Sequence, residues 1–257
     1  MDSNKTDEKF KRRNTKIAKI LTITFITLLF LNFITISLIY SWADWIALLI
    51  FSLLFIVPGY LSNAGMVIVG GGNPIDGGKI WRDGRRILGD HKTWKGLLKG
   101  PLYIGIPISF IIFILFIVLW PAIQEIPLTG AQMGIYKLYS KLSYYEFYFI
   151  GGPFPIGLIS LILRIILSSY GAAFGDLLGS FLKRRFNIAS GEPFWIIDQL
   201  DFVIVSILFA SIPALFIPNI YFAPDFQIII FLLILTPAVS VIANTVAYFA
   251  GLKEVPW

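Results

Sequence analysis

The amino-acid sequence predicts an all-α polytopic membrane protein with six transmembrane helices. Of its 257 residues, 57% are hydrophobic and only 14% are charged, whereas soluble domains average about 45–50% apolar and about 25% charged residues. The apolar residues fall into six long stretches, each close to the roughly 20 residues that a helix needs to cross a bilayer. Most Lys and Arg residues lie between these stretches. The composition therefore excludes an ordinary soluble globular domain.

The first two spans are predicted at residues 20–40 and 45–66. The first stretch is too long for the apolar core of a signal peptide, which has about 7–15 residues, and no small-residue cleavage site follows it. It is therefore predicted to be an uncleaved helix that follows a basic tail. The other four spans are predicted at residues 102–120, 156–182, 202–217 and 226–250.

The distribution of charge predicts the orientation of these spans. If the spans alternate, 18 of the 21 Lys and Arg residues lie on the side that carries both termini and two polar loops. Loops that stay in the cytoplasm carry the excess of Lys and Arg. We therefore expect a multi-pass protein of the cell membrane whose termini and polar loops are cytoplasmic.

The first polar loop, residues 70–99, has the composition of a phosphate-binding segment. It contains eight glycines, seven Lys or Arg residues and three aspartates. Glycine lets backbone N–H groups wrap an anion, and Lys and Arg neutralise phosphate. The alternative is a flexible basic connector that binds anionic lipid headgroups. The carboxylates Asp76, Asp83 and Asp90, spaced at intervals of seven, argue against that alternative.

The second polar loop is flanked by three carboxylates, Asp176, Asp198 and Asp201. Asp198 and Asp201 are three residues apart at the predicted start of a helix, so they can share one face. Carboxylates beside basic residues are what Mg²⁺ and a nucleoside triphosphate require. Simpler roles remain open, namely an N-cap with a favourable charge for Asp198 and Asp201 and a solvated helix end for Asp176.

Several other residues narrow the possible chemistry. The chain has no Cys and a single His, His91, which excludes disulfides, thiolate metal sites and His-based triads. Gly171, Gly175 and Gly179 repeat every four residues and predict close helix packing. Arg164 lies within the fourth span and is expected either to face a polar cavity or to pair with an internal carboxylate or a lipid phosphate.

At the two polar loops the sequence resembles the CDP-archaeol synthase family and, more distantly, phosphatidate cytidylyltransferases. The resemblance is carried by Pro58-Gly59-Tyr60 with Asn63, by GGGNPIDGGKIWRDGRRILGDHKTWKG at 70–96, by GAAFGDLLGSFLKRR at 171–185 and by DQLDF at 198–202. Family members typically have five spans. The resemblance thus implies a membrane-embedded cytidylyltransferase domain at residues 45–257, preceded by an added basic tail and transmembrane helix at residues 1–44.

The resemblance also implies a reaction and its participants. CTP and the isoprenoid lipid 2,3-bis-O-(geranylgeranyl)-sn-glycerol 1-phosphate would give CDP-archaeol and pyrophosphate, with Mg²⁺ as cofactor and no nucleic-acid partner. The attacking lipid phosphate is already ionised at neutral pH, so no general base is required. Catalysis then consists of positioning two anions and dispersing charge at the α-phosphorus.

Three sets of site residues follow as hypotheses. The expected catalytic residues are Asp176, Lys183, Asp198 and Asp201, of which the three aspartates are the expected Mg²⁺ ligands. The residues expected to hold phosphates are Lys92, Lys183, Arg85, Arg86 and Arg184, with Thr93 as a hydroxyl donor. The residues expected to shape the nucleotide site or contact the nucleotide are Gly70, Gly71, Gly72 and Asp76.

Three rival functions remain open at this stage. They are a phosphatidate cytidylyltransferase that acts on diacyl lipids, a transporter of lipids or anions, and a non-catalytic scaffold that binds anionic lipid. The transporter is disfavoured because the charges cluster in loops and the spans hold few polar residues. Formation of a CDP-lipid from CTP separates the enzyme from both non-catalytic alternatives.

Overall fold

A computed structural model describes residues 2–189 and 191–256, and in these ranges the regular secondary structure is helical, without β-strands. Two isolated antiparallel bridges, Pro74–Thr93 and Ile80–Arg86, occur in the first polar loop. The helices are α1 (Asp2–Ile39), α2 (Trp42–Ile68), α3 (Trp94–Gly100), α4 (Ile106–Ile123), α5 (Glu125–Gln132), α6 (Leu142–Ile150), α7 (Ile156–Arg185), α8 (Ile197–Ser211) and α9 (Phe226–Phe249).

Six helical segments of the described chain are long and apolar enough to cross a membrane, which confirms the predicted fold class. They are Glu8–Ile39, Trp42–Ile68, Trp94–Ile123, Ile156–Arg185, Ile197–Leu215 and Phe226–Phe249. The third combines α3 and α4 through a π-helical turn at Pro101–Gly105. The described part of the basic tail forms a continuous helix with the first span, a conformation that was not predicted from the sequence.

The spans α2 and α7 form the centre of the bundle. In the most apolar 18-residue stretch of each of these spans, 56% of the residues are buried inside the protein, compared with 11% in the corresponding stretch of α1. At one end of α2, Phe51 stacks on Tyr148 with ring centroids 4.6 Å apart. Tyr139 and Tyr145 meet the same ring edge-on at 5.1 and 4.9 Å. Offset and edge-to-face geometries are the favoured ones for aromatic pairs, so this cluster fixes α6 and its preceding segment on α2.

The predicted close packing of the glycine repeat is confirmed at the contact between α7 and α8. A Cβ added at Gly175 would lie 2.4 Å from the backbone oxygen of Asp201, and one at Gly171 would lie 2.8 Å from the Cα of Ser206. At Gly179 the added atom would meet the Asp201 carboxylate at 1.9 Å. Because these glycines have no side chains, the start of α8 packs directly against the end of α7. The carboxylates at the start of α8, Asp198 and Asp201, are thereby brought close to α7.

Arg164 corrects an expectation from the sequence. Its guanidinium donates to the backbone oxygens of Phe147 at 3.1 Å and Tyr148 at 2.9 Å, and it lies 5.0 Å from the centre of the Phe113 ring. The partners are thus carbonyl groups and an aromatic face rather than a carboxylate or a lipid phosphate. Both carbonyls lie in the last turn of α6, where carbonyls lack their usual partners within the helix; that of Phe147 also accepts the N–H of Gly151 at 2.9 Å.

The two ends of the bundle differ in their chemistry. At one end, buried Asp44 accepts backbone N–H groups from Lys137, Leu138 and Tyr139 at 2.9–3.1 Å. At the other end, the loop between α2 and α3, the loop between α7 and α8 and the basic part of α1 lie together. We call this second end the motif face and define it as residues 8–19, 70–93, 183–189 and 191–196.

Candidate active site

A buried carboxylate organises the loop between α2 and α3. Asp76 accepts five N–H groups at 3.0–3.1 Å, three from the backbone of Gly78, Leu88 and Gly89 and two from the Arg86 side chain. Burial by itself would raise the pKa of Asp76, but the hydrogen bonds, led by those from Arg86, outweigh it and hold that pKa well below its usual range. Both oxygens are occupied by the loop, which favours a shaping role for Asp76.

Three arginines fasten this loop to the end of α7. Arg85 donates to the backbone oxygen of Arg185 at 2.6 Å, and Arg184 donates to that of Leu88 at 2.9 Å. Arg185 in turn donates to the Asp83 carboxylate at 2.7 Å. Cations at a helix C-terminus pair favourably with its last carbonyl groups. The loop and α7 thus form one unit despite about 100 residues of separation.

The arginines predicted to hold phosphates are therefore already engaged. Arg85 and Arg184 contact backbone carbonyls, and Arg86 contacts Asp76 and Asp90. These contacts favour a role in holding the loop. Direct contact of these three residues with phosphate remains a prediction.

A cavity of about 360 Å³ opens between this loop and α7. Its wall includes Gly70, Gly71, Gly72, Lys92, Thr93 and Asp176. The structure thus brings together one carboxylate, one cation and the glycine triplet that the sequence predicted for the nucleotide. The volume lies in the range of about 300–1,000 Å³ typical of ligand sites.

The glycine triplet exposes backbone to this cavity. Gly71 and Gly72 have φ angles of +89° and +85°, which side chains strongly disfavour. A Cβ at Gly71 would meet open space, so its backbone is approachable from the cavity. Thr93, by contrast, accepts the N–H of Gly96 at 3.1 Å and caps α3. Its hydroxyl group still has a proton to donate, since capping uses only the oxygen as acceptor.

Two lysine–carboxylate pairs form in this region. The first, Lys92 with Asp176, lines the cavity, and the second, Lys183 with Asp198, joins the end of α7 to the start of α8. Lys92 Nζ lies 2.6 Å from both oxygens of Asp176. Lys183 Nζ lies 2.8 Å from Asp198 Oδ2, and all four side chains of these pairs are partly buried. The third carboxylate, Asp201, packs against Gly179 near the end of α7, where an added Cβ would lie 1.9 Å from its Oδ2. The predicted catalytic residues therefore form one local group of charges at the junction of α7 and α8.

The donor chemistry of this group fits Mg²⁺, which prefers carboxylate oxygens. Within residues 2–189 and 191–256, however, no three His, Cys, Asp or Glu side chains already stand close enough to hold a metal ion. Two of the three aspartates instead hold a lysine ammonium group. The three aspartates as Mg²⁺ ligands therefore remain a prediction.

Sequence reasoning did not place several residues of the cavity wall among the site residues, namely Asn63, Met66, Asp90 and His91. Asn63 is a polar residue in the last turns of a span, and His91 precedes Lys92 directly, so both carried a signal in the sequence. Met66 carried none, because a methionine in a span looks like any core residue.

Comparison with known proteins places this site in a family. The family model described as CarS-like, CDP-archaeol synthase, matches residues 45–257. The chain belongs to this family. The resemblance read from the loop motifs is thereby confirmed, and the added helix α1 lies outside the matched CDP-archaeol synthase region.

Sequence relatives agree with this assignment. A CDP-archaeol synthase of Thermococcus kodakarensis is 37% identical over 213 residues, which cover 83% of this chain and 99% of the relative. One of Methanococcus aeolicus is 38% identical over 214 residues, covering 82% and 98%. A solved structure described as "Structural insight into an intramembrane enzyme for archaeal membrane lipids biosynthesis" is 25% identical, covers 77% of this chain and 92% of that chain, and has a TM-score of 0.43.

Proposed function

We propose that this protein is an integral membrane cytidylyltransferase that makes CDP-archaeol. It joins CTP to 2,3-bis-O-(geranylgeranyl)-sn-glycerol 1-phosphate and releases pyrophosphate. The observation that carries the proposal is the Lys92–Asp176 pair, 2.6 Å apart, in the wall of a glycine-lined cavity of about 360 Å³. Membership of the CDP-archaeol synthase family supplies the identity of both substrates.

The reaction requires neutralisation of phosphate charge rather than proton transfer. An ionised oxygen of the lipid phosphate bonds to the α-phosphorus of CTP, and the bond from that phosphorus to the β-phosphate oxygen breaks. Pyrophosphate leaves with the electron pair. Lys92 and Lys183 stand where they neutralise this charge, and each ammonium group exchanges its carboxylate for a phosphate oxygen as CTP binds. The exposed backbone of Gly70, Gly71 and Gly72 lines the path of the triphosphate.

Asp176, Asp198 and Asp201 would hold Mg²⁺ in this proposal. Bound Mg²⁺ supplies charge neutralisation and orientation of phosphate oxygens. The chain's own contribution is the placement of these carboxylates. The glycine contacts between α7 and α8 bring Asp201 against Gly179, and the loop arginines hold Lys92 and its neighbours against the end of α7.

The proposal is tested with purified full-length protein, Mg²⁺, lipid phosphates and CTP labelled at either the α- or the γ-phosphorus. We expect the α-label in a CDP-lipid and the γ-label in pyrophosphate. No labelled lipid with either the archaeal ether substrate or diacyl phosphatidate would refute the enzyme. A diacyl product without an ether product would favour the phosphatidate alternative. Parallel reactions with dCTP, ATP, GTP and UTP test the base.

Single substitutions then test the site. Asp176→Asn and Lys92→Met are each expected to lower kcat/KM at least 100-fold, since positioned charges of this kind contribute about 10²–10³-fold in other enzymes. Glu125→Gln is the matched control, because Glu125 is exposed and lies in α5, away from the motif face. Wild-type turnover in Asp176→Asn would refute the assignment of the site.

We propose further that residues 45–257 carry the catalytic domain and that the motif face is cytoplasmic. Hydrogen bonds link α1 to the segment before α8 and the end of α7 to the first polar loop, so the basic segments share one end, as the charge rule requires. Since the chain has no Cys, single cysteines report orientation. A membrane-impermeant maleimide applied to intact cells should label Ser140→Cys and spare Lys79→Cys; the reverse pattern would invert the topology.

A further inference from the structure

The added helix α1 reaches from the membrane to the segment that leads into α8. Within the bilayer it packs on α9, where Phe25 meets Ala238 and Val241 and the hydroxyl groups of Thr22 and Thr245 lie 3.1 Å apart. Beyond this contact the helix continues without interruption onto the motif face. It therefore places polar side chains next to the loop between α7 and α8.

One polar side chain in this basic part of α1 is buried. Asn14 is 2% exposed, although the residues before it, 11–13, are exposed. Its side-chain oxygen accepts the indole N–H of Trp195 at 2.9 Å. Its amide nitrogen donates to the backbone oxygen of Phe10 at 3.2 Å, which fixes the orientation of the amide. The contact joins α1 to the segment that leads directly into α8.

The segment held in this way carries Asp198. The backbone N–H of Phe194 donates to Asp198 Oδ2 at 3.0 Å, and Lys183 Nζ contacts the same oxygen at 2.8 Å. Between them, Ile196 has φ +70° and ψ −46°, close to the rare and strained classic γ-turn. Such a conformation persists only where the surroundings hold it. Trp195 on one side and Asp198 on the other help to hold it.

We propose that Asn14 is a positioning residue for cytidylyl transfer. It holds Trp195, and through it the strained turn at residues 194–197, so that Asp198 faces Lys183 and the site. The helix that precedes the family region is thereby a structural part of the active site rather than only a membrane anchor. This inference rests on the proposed function for its kinetic consequence, while the anchoring itself is independent of it.

The chain offers a matched control on the same helix. Asn32 accepts the indole N–H of Trp45 at 3.0 Å, so it forms the same kind of hydrogen bond as Asn14. It lies 18 residues further along α1, about 27 Å away at 1.5 Å per residue. Asn32→Ala removes the same chemistry at a distance from the site.

Two measurements on the full-length protein test the proposal. Hydrogen exchange reports the opening of residues 193–198 without substrates, and steady-state kinetics with CTP and the lipid phosphate report catalysis. We expect Asn14→Ala to speed exchange in this segment and to lower kcat/KM for CTP, each about five-fold, the typical net effect of one hydrogen bond. The KM for the lipid phosphate should not change. Asn32→Ala should leave both at wild-type values.

Three further variants sharpen the outcome. Trp195→Phe keeps an aromatic ring but removes the indole N–H, so it should reproduce the effect of Asn14→Ala. It provides the test if Asn14→Ala fails to fold. The double variant should show no added loss, because the two changes remove one interaction. Asn14→Asp keeps an acceptor and should retain the slow exchange.

The results separate the two proposals. If exchange and kinetics of Asn14→Ala match those of Asn32→Ala, the positioning role is overturned. Additive losses in the double variant would overturn it as well. If the wild-type protein forms no CDP-lipid, the proposed function fails, and the exchange data alone then decide whether Asn14 anchors the turn.

Discussion

Replacement of Asp76 by Asn is the sharpest test of how the first polar loop is built. The substitution keeps the shape of the side chain but removes its charge and turns one acceptor oxygen into an N–H donor. In the protein Oδ1 accepts Gly78 N–H and one Arg86 N–H, and Oδ2 accepts Leu88 N–H, Gly89 N–H and a second Arg86 N–H. The Asp76 side chain is 0% exposed, so water cannot replace lost partners.

The expected loss follows from counting acceptors. In the better of its two orientations, the asparagine keeps its oxygen at the Oδ2 position and leaves two donors facing its own amide group. Each buried donor without a partner costs about 1–3 kcal/mol, so we expect the loop to lose about 3 kcal/mol. At about 1.4 kcal/mol per tenfold change, this corresponds to roughly a 100-fold increase in local opening.

Hydrogen exchange at Leu88 and Gly89 measures this opening. Asp90→Asn is the matched control, because Asp90 pairs with the same Arg86 but has a side chain that is 74% exposed. Exposed pairs contribute little, so its effect should stay below about five-fold. The kcat/KM for CTP should fall in Asp76→Asn, since the same loop supplies Lys92 and the glycine triplet to the cavity.

Equal exchange rates at these amides in the two variants would refute the reasoning. It would mean that the loop does not depend on the buried carboxylate, and that its shape comes from the arginine contacts with α7 alone. A fall in kcat/KM without faster exchange would instead assign Asp76 a direct contact with the nucleotide.

Three more outcomes are expected. Gly179→Ala should lower both the melting temperature and turnover, because the new Cβ would lie 1.9 Å from the Asp201 carboxylate and overpacking costs about 1–3 kcal/mol; unchanged unfolding would contradict this packing. Asp44→Ala should lower the melting temperature without changing the KM for CTP, since it frees three backbone N–H groups at the end opposite the site. Because the pKa of Asp76 is depressed, its stabilisation should be complete above the ordinary carboxyl pKa of about 4 and disappear only as pH falls through its lower folded value; exchange of the loop amides in Asp76→Asn should lack this extra acid sensitivity, and an equal acid response in both proteins would contradict it.

The sequence predicted the architecture well, because hydrophobic length is a local property. Six apolar stretches lead to six spans with the expected approximate bounds, and the glycine repeat predicted the close approach of α7 and α8. The helical form of the basic tail was not predicted. Polar composition alone does not distinguish a solvated coil from a helix that continues a span, and here the contact between Asn14 and Trp195 belongs to the helical form.

The candidate site likewise has features that the sequence predicted and features that only the tertiary structure decided. Residue type alone identified the two polar loops, their carboxylates and their cations, since charge and glycine in an apolar chain have few other uses. Only the tertiary structure decided which cation meets which anion. Lys92 joins Asp176 across 84 positions of sequence, while Arg85 and Arg184 turn to backbone carbonyls. A charged side chain takes the partner that folding brings within hydrogen-bonding distance, and contacts between segments so far apart leave no pattern in the spacing of residues along the chain.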